Sequence, residues 1–111
     1  MMLKSGKIYL NQRDQHGVNA FWISAYANQR QVLKTLRGHK IEIFTVNEFG
    51  SNALHIACKR GHYAVVRELL DMNYPLEMPK NNGITALGIA AHEGHLDILK
   101  LLLSHGANPH H

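Results

Sequence analysis

Asn52-Ala53-Leu54-His55-Ile56-Ala57 and Thr85-Ala86-Leu87-Gly88-Ile89-Ala90 are one pattern written twice, 85 − 52 = 33 residues apart. The same period runs outward in both directions. Gly17, Gly50 and Gly83 fall in register, as do Ala20, Ala53 and Ala86, and Ile23, Ile56 and Ile89. Phe21 aligns with Leu54 and Leu87, and Asn28 with Gly61 and Gly94. Val32-Leu33, Val65-Val66 and Ile98-Leu99 align, each followed by a basic residue, Lys34, Arg67 or Lys100, and each unit closes on Leu36, Leu69 or Leu102. One such column could arise by chance; a full set in a single register marks an internal repeat.

The columns have physical meanings. Asn19, Asn52 and Thr85 are side chains that accept a hydrogen bond from a free amide at a helix start. A short helix follows, with one large apolar residue, an isoleucine and small residues (Ser24-Ala25, Ala57-Cys58, Ala90-Ala91) that let neighbouring helices approach closely. Asn28, Gly61 and Gly94 stand where this helix ends, and they tolerate a left-handed C-cap best. A second helix is predicted from Val65, Val66, Leu69 and Leu70, spaced i, i+1, i+4, i+5 along one face, and from Ile98, Leu99, Leu102 and Leu103. An extended segment then leads to a turn at Gln15-His16-Gly17, Glu48-Phe49-Gly50 or Asn81-Asn82-Gly83. Asn82-Gly83 signals a tight turn because both residues accept positive φ. No single helix–helix–turn unit buries its own apolar face, so the units must stack.

With these residues in place, the chain resembles the ankyrin repeat family. The family's period and its Thr-Pro-Leu-His-x-Ala signature are recognisable in the two stretches quoted first, with alanine for proline. Gly61-His62 and Gly94-His95 match the Gly-His that follows, and Gly106-Ala107-Asn108 resembles the Gly-Ala-Asp at a repeat end. The resemblance implies an all-α ankyrin-repeat solenoid of three stacked helix-turn-helix repeats with projecting β-turn loops. Repeat 1 spans 11–43, repeat 2 spans 44–76 and repeat 3 spans 77–109. The first unit departs most, with Ala20-Phe21-Trp22 and Asn28-Gln29, and His55 alone keeps the signature histidine. Leu3-Lys4-Ser5-Gly6-Lys7-Ile8 aligns with Leu36-Arg37-Gly38-His39-Lys40-Ile41, so residues 1–10 read as the end of a truncated preceding repeat. The leucines of the last helix fit the same view of a piece of a longer array, and His110 and His111 are native residues or the stub of a tag.

Composition narrows the function classes. Apolar residues make up 45% of the 111, enough for one buried core and not for a disordered chain. The net charge of +4 suits acidic partners without calling for nucleic acid, since no clustered basic and aromatic stripe accompanies it. Cys58 is the single cysteine, so no internal disulfide forms, and an intracellular setting, cytoplasmic or nuclear, is expected. No apolar run reaches the ~18–20 residues of a membrane span, and Met1-Met2-Leu3-Lys4 opens no secretory signal.

The residues that carry chemistry elsewhere do not assemble a reaction here. His92 and His95 are i, i+3 with a helix-breaking glycine between them, whereas a zinc-protease helix needs i, i+4. Cys58 shares the register of Ala25 and Ala91, an interior position. No glycine loop cradles phosphate. Neither catalysis, a cofactor, a metal nor a small-molecule substrate is therefore expected.

Binding of another protein is expected instead. The resemblance implies one concave side lined by turns and first helices. At matching positions these are Gln15, His16, Val18, Tyr26 and Ala27 in repeat 1; Glu48, Phe49, Ser51, Lys59 and Arg60 in repeat 2; and Asn81, Asn82, Ile84, His92 and Glu93 in repeat 3. These columns differ most between the units, as display positions should when packing fixes the others. Phe49 and Ile84 are apolar beside turn glycines and read either as a contact surface or as packing between turns. Lys59-Arg60 reads as a steering pair or a solvated one, and Trp22 as a packing residue or an aromatic anchor. The leading expectation is a scaffold or targeting segment of a larger protein. The alternative is a regulatory domain acting in cis on an attached enzyme or channel.

Overall fold

A computed structural model describes residues 10–109. The aligned segment Leu3–Ile8, most of the expected preceding repeat, and His110 and His111 lie outside the described residues.

The repeated caps set the helices. Asn19 and Asn52 take extended backbone and accept the amides of Trp22 (3.3 Å) and His55 (2.9 Å), starting α1 (Ala20–Tyr26) and α3 (Ala53–Arg60). In α3 the bond is reciprocated: the Asn52 amide donates to His55 Nδ1 at 3.0 Å, closing a capping box. Thr85 takes the same extended backbone ahead of α5 (Ala86–Glu93), but its hydroxyl accepts no amide. The start of α5 is held instead by burial of Ala86 and Ile89.

The ends of these helices also repeat. Asn28 (φ 59), Gly61 (φ 75) and Gly94 (φ 76) are left-handed, as their residue types predict. The next amide then reaches back five residues: Gln29 to Ser24 O (2.8 Å), His62 to Ala57 O (2.9 Å) and His95 to Ala90 O (3.0 Å). That bond reverses the chain into the second helices, α2 (Arg30–Arg37), α4 (Tyr63–Asp71) and α6 (Leu96–Ser104).

The first helices form one row, with α3 packed between α1 and α5, and the second helices form another, with α4 between α2 and α6. The result is an elongated stack of 50 × 26 × 19 Å, all-α among the described residues. Ala25, Ala57, Cys58 and Ala90 are buried in the first row, where small side chains allow close helix approach. Leu33, Val65, Val66, Leu69, Ile98 and Leu102 fill the second row. Each such aliphatic contributes about 1.5–3 kcal/mol by leaving water, and most of it is realised only against a neighbouring repeat.

The turns span Asp14–Gly17, Asn47–Gly50 and Lys80–Gly83. Each is closed by the glycine amide on the first residue's carbonyl (2.9–3.0 Å) and flanked by a bond from that first residue's amide to the carbonyl four residues on (2.9–3.1 Å). Gly17, Gly50 and Gly83 have positive φ, but Asn82 does not. The turn therefore has its one left-handed residue at the glycine, rather than the two that Asn82-Gly83 suggested. Asn82 serves through its side chain, whose Oδ1 accepts the Ile84 amide at 3.1 Å. Among the described residues no helix is long and apolar enough to cross a membrane.

Candidate functional site

The N3 position of the first helices holds a different residue in each repeat, and the difference shapes the side that turns and first helices share. In repeat 2 it is His55. Its Nδ1 accepts the Asn52 amide, so the proton sits on Nε2, which donates to Met78 O at 2.7 Å. Burial, foremost, pulls the His55 pKa below its ordinary value. In repeat 1 it is Trp22, which is buried and donates from Nε1 to Ser51 O at 2.9 Å, tying α1 under the turn of repeat 2. In repeat 3 it is Gly88, and the Ile84 side chain lies 3.0 Å from where a Cβ would stand.

Two clefts open along this side. One, of about 400 Å³, lies between repeats 1 and 2 and is lined by Trp22, Ile23 and Tyr26 with Asp14, His16 and Glu48. The other, of about 220 Å³, lies between repeats 2 and 3 above Gly88, with Ile84, Ile89, Lys59, Lys80, His92 and Glu93 on its walls. Phe49 projects between them from the second turn and is 62% exposed. Its carbonyl accepts the Asn81 amide (3.1 Å), and Asn81 Nδ2 donates to Glu48 O (3.1 Å), so the second and third turns are linked.

Most of the sequence-predicted positions are exposed here. Gln15 and His16 sit on the first turn, with His16 Nδ1 3.4 Å from Glu48 Oε2. Tyr26 is 42% exposed, stacks on Trp22 at 5.7 Å and lies under the Arg60 guanidinium at 4.2 Å; Ala27 beside it is exposed. Lys59 Nζ is 3.5 Å and His92 Nδ1 3.4 Å from Glu93 Oε2, and the His92 hydrogen bond, followed by the Lys59 charge, holds the Glu93 carboxyl below its ordinary range. Asn81 and Asn82 are exposed, and Ile84 is 43% exposed.

Val18 and Ser51 are different. Their register put them on this face, but they are 2% and 7% exposed. Each directly precedes an N-cap asparagine and tucks beneath its turn, yet Val18 lines the first cleft and Ser51 the second. The sequence reading passed over Asp14, Ile23 and Lys80, which line the clefts. Asp14 was legible in principle, since it and Asn47 occupy one column and both accept the amides two and four residues on (2.9–3.2 Å).

Cys58 is fully buried, and burial pushes its thiol up to about 12. The two histidines of His92-Glu93-Gly94-His95 face different partners: His92 faces Glu93, and His95 Nε2 donates to Lys59 O at 3.2 Å. Among the described residues no group of three or more His, Cys, Asp or Glu is arranged to hold a metal ion.

Rows of paired helices with linked turns and a cleft between successive units define a repeat scaffold. A family model of ankyrin repeats in three copies matches residues 21–111, and the chain belongs to the ankyrin repeat family. Its members are generally protein–protein interaction modules and typically non-catalytic. No curated protein matches the chain.

Proposed function

We propose that this chain is a scaffold or targeting module that holds another protein across the face made by its turns and first helices. The observation that carries the reading is the pair of clefts flanking exposed Phe49. An aromatic side chain on a hydrogen-bonded turn linked to its neighbour offers apolar area at little entropic cost, and clefts on either side accept a partner's side chains. Tyr26 and Ile84 extend the apolar strip, while Lys59, Arg60, Glu48 and Glu93 form a charged rim, the arrangement of a non-obligate interface.

The test is capture of binding partners by Phe49→Ala combined with Lys59→Glu. Both side chains are exposed, so helicity and unfolding midpoint should stay as in the parent. Partner recovery should fall at least tenfold. Undiminished recovery by the double variant removes the face from the argument.

A further inference from the structure

The two clefts carry opposite charge. Between repeats 1 and 2 the carboxylates on the walls are Asp14 and Glu48, with His16 beside Glu48 and the Arg60 guanidinium outside, over the Tyr26 ring. Between repeats 2 and 3 they are Lys59 and Lys80 against Glu93, and Glu93 is already engaged by Lys59 and His92. Lys80 makes no ion pair among the described residues. A chain that is positive overall therefore presents one anionic and one cationic depression on the same side, with Phe49 between them. Trp22 and Arg60 already stack on the Tyr26 ring, so a cation entering the first cleft is held by its carboxylates, with its aliphatic stem on Ile23.

Resting on the partner-binding reading above, we propose that the bound segment is an extended peptide of mixed charge. A Lys or Arg of that segment seats between Asp14 and Glu48, an apolar residue packs on Phe49, and an Asp or Glu seats between Lys59 and Lys80. Neighbouring helices pack about 8–10 Å apart, and extended chain advances about 3.3 Å per residue. The cationic and acidic residues of the partner are therefore about three positions apart. Like-charged segments are rejected, because one of their charges faces its own sign.

A displayed library of random decapeptides, panned on the full chain, tests this. Synthesised winners are then titrated into ¹⁵N-labelled protein. Winners should carry Lys or Arg about three residues from Asp or Glu, with amide shifts centred on residues 47–50 and 80–83. Asp14→Asn with Glu48→Gln should weaken them about fivefold and abolish selection for the basic residue. The asparagine keeps the turn, since Asn47 accepts the same amides in repeat 2. Lys59→Gln with Lys80→Gln should abolish selection for the acidic residue. Winners of one sign, winners unchanged by both variants, or no winners at all overturn the mixed-charge proposal. Shifts on the turns in the first two cases leave the binding face standing, whereas shifts over α2, α4 and α6 overturn the face as well.

Discussion

Replacing His55 with alanine removes two hydrogen bonds that no other side chain makes. The Asn52 amide loses its acceptor at 3.0 Å, and Met78 O loses its donor at 2.7 Å. Asn52 is fully buried, so its orphaned N–H costs about 1–3 kcal/mol. Met78 is half-buried, and water can reclaim much of its carbonyl. With the packing of a buried ring also gone, the loss should total about 2–4 kcal/mol. A large part of a small domain's stability would go with it.

The same residue carries a pH signature. Its folded pKa lies below its unfolded value near 6.5, because burial disfavours the cation and Nδ1 is committed as an acceptor. Below about pH 6.5 the unfolded chain binds a proton that the native state refuses. Stability from this site is thus complete above 6.5 and is lost as pH falls through the folded pKa, at up to about 1.4 kcal/mol per pH unit. Urea unfolding followed by circular dichroism at pH 7.5, 6.5 and 5.5 reads both effects. His55→Ala should be less stable at pH 7.5 and show a shallower decline toward pH 5.5. A loss under about 1 kcal/mol with an unchanged pH slope would refute the capping argument.

The caps and turns give sharper comparisons. Asn19→Ala should cost about 1–2 kcal/mol in urea unfolding, since its side chain caps α1 and also donates to Glu42 O; Thr85→Ala, which removes no cap bond, should cost clearly less. Gly50→Ala and Gly94→Ala share φ 76, with about 1–2 kcal/mol of left-handed strain each. An added Cβ at Gly50 would also meet the Asn81 backbone N at 2.8 Å, while Gly94 faces open space, so thermal melts should rank Gly50→Ala as the more damaging. Cys58 should resist iodoacetamide in the native protein at pH 8 and react once urea unfolds it, as mass spectrometry will show.

What could be read from sequence was what is local. Asn28, Gly61 and Gly94 announce their backbone by residue type, and Asn19 and Asn52 announce theirs, because both interactions close within a helical turn. Features that need two repeats in register were not legible. Trp22 was left between packing and display; its bond to Ser51 O, 29 residues on, decides for packing. Val18 and Ser51 follow turn glycines as display residues would, yet the turn folds over them. Gly88 looked like a lost signature histidine, whereas in three dimensions its missing side chain opens a cleft. Tyr74 gave no periodic signal, because repeats 1 and 3 hold Ile41 and Ala107 in its column; it is buried, donates to Ile43 O at 2.6 Å and packs near Phe21 and Phe44.

The bonds from His62 Nε2 to Tyr26 O and from His95 Nε2 to Lys59 O each cross 36 residues, one repeat and a little more. The Arg30–Glu68 ion pair crosses 38. Each of these contacts closes a loop of about one repeat, so loop closure is paid one repeat at a time. Folding can therefore begin at the central pair α3–α4, where α3 carries the reciprocal capping box, and spread outward like a zip. The outermost helices would then open and close on their own timescale while the middle stays shut. Hydrogen exchange should accordingly be slowest around Leu54, Val66 and Leu69, and the cleft between repeats 2 and 3 borders the steadiest part of the molecule.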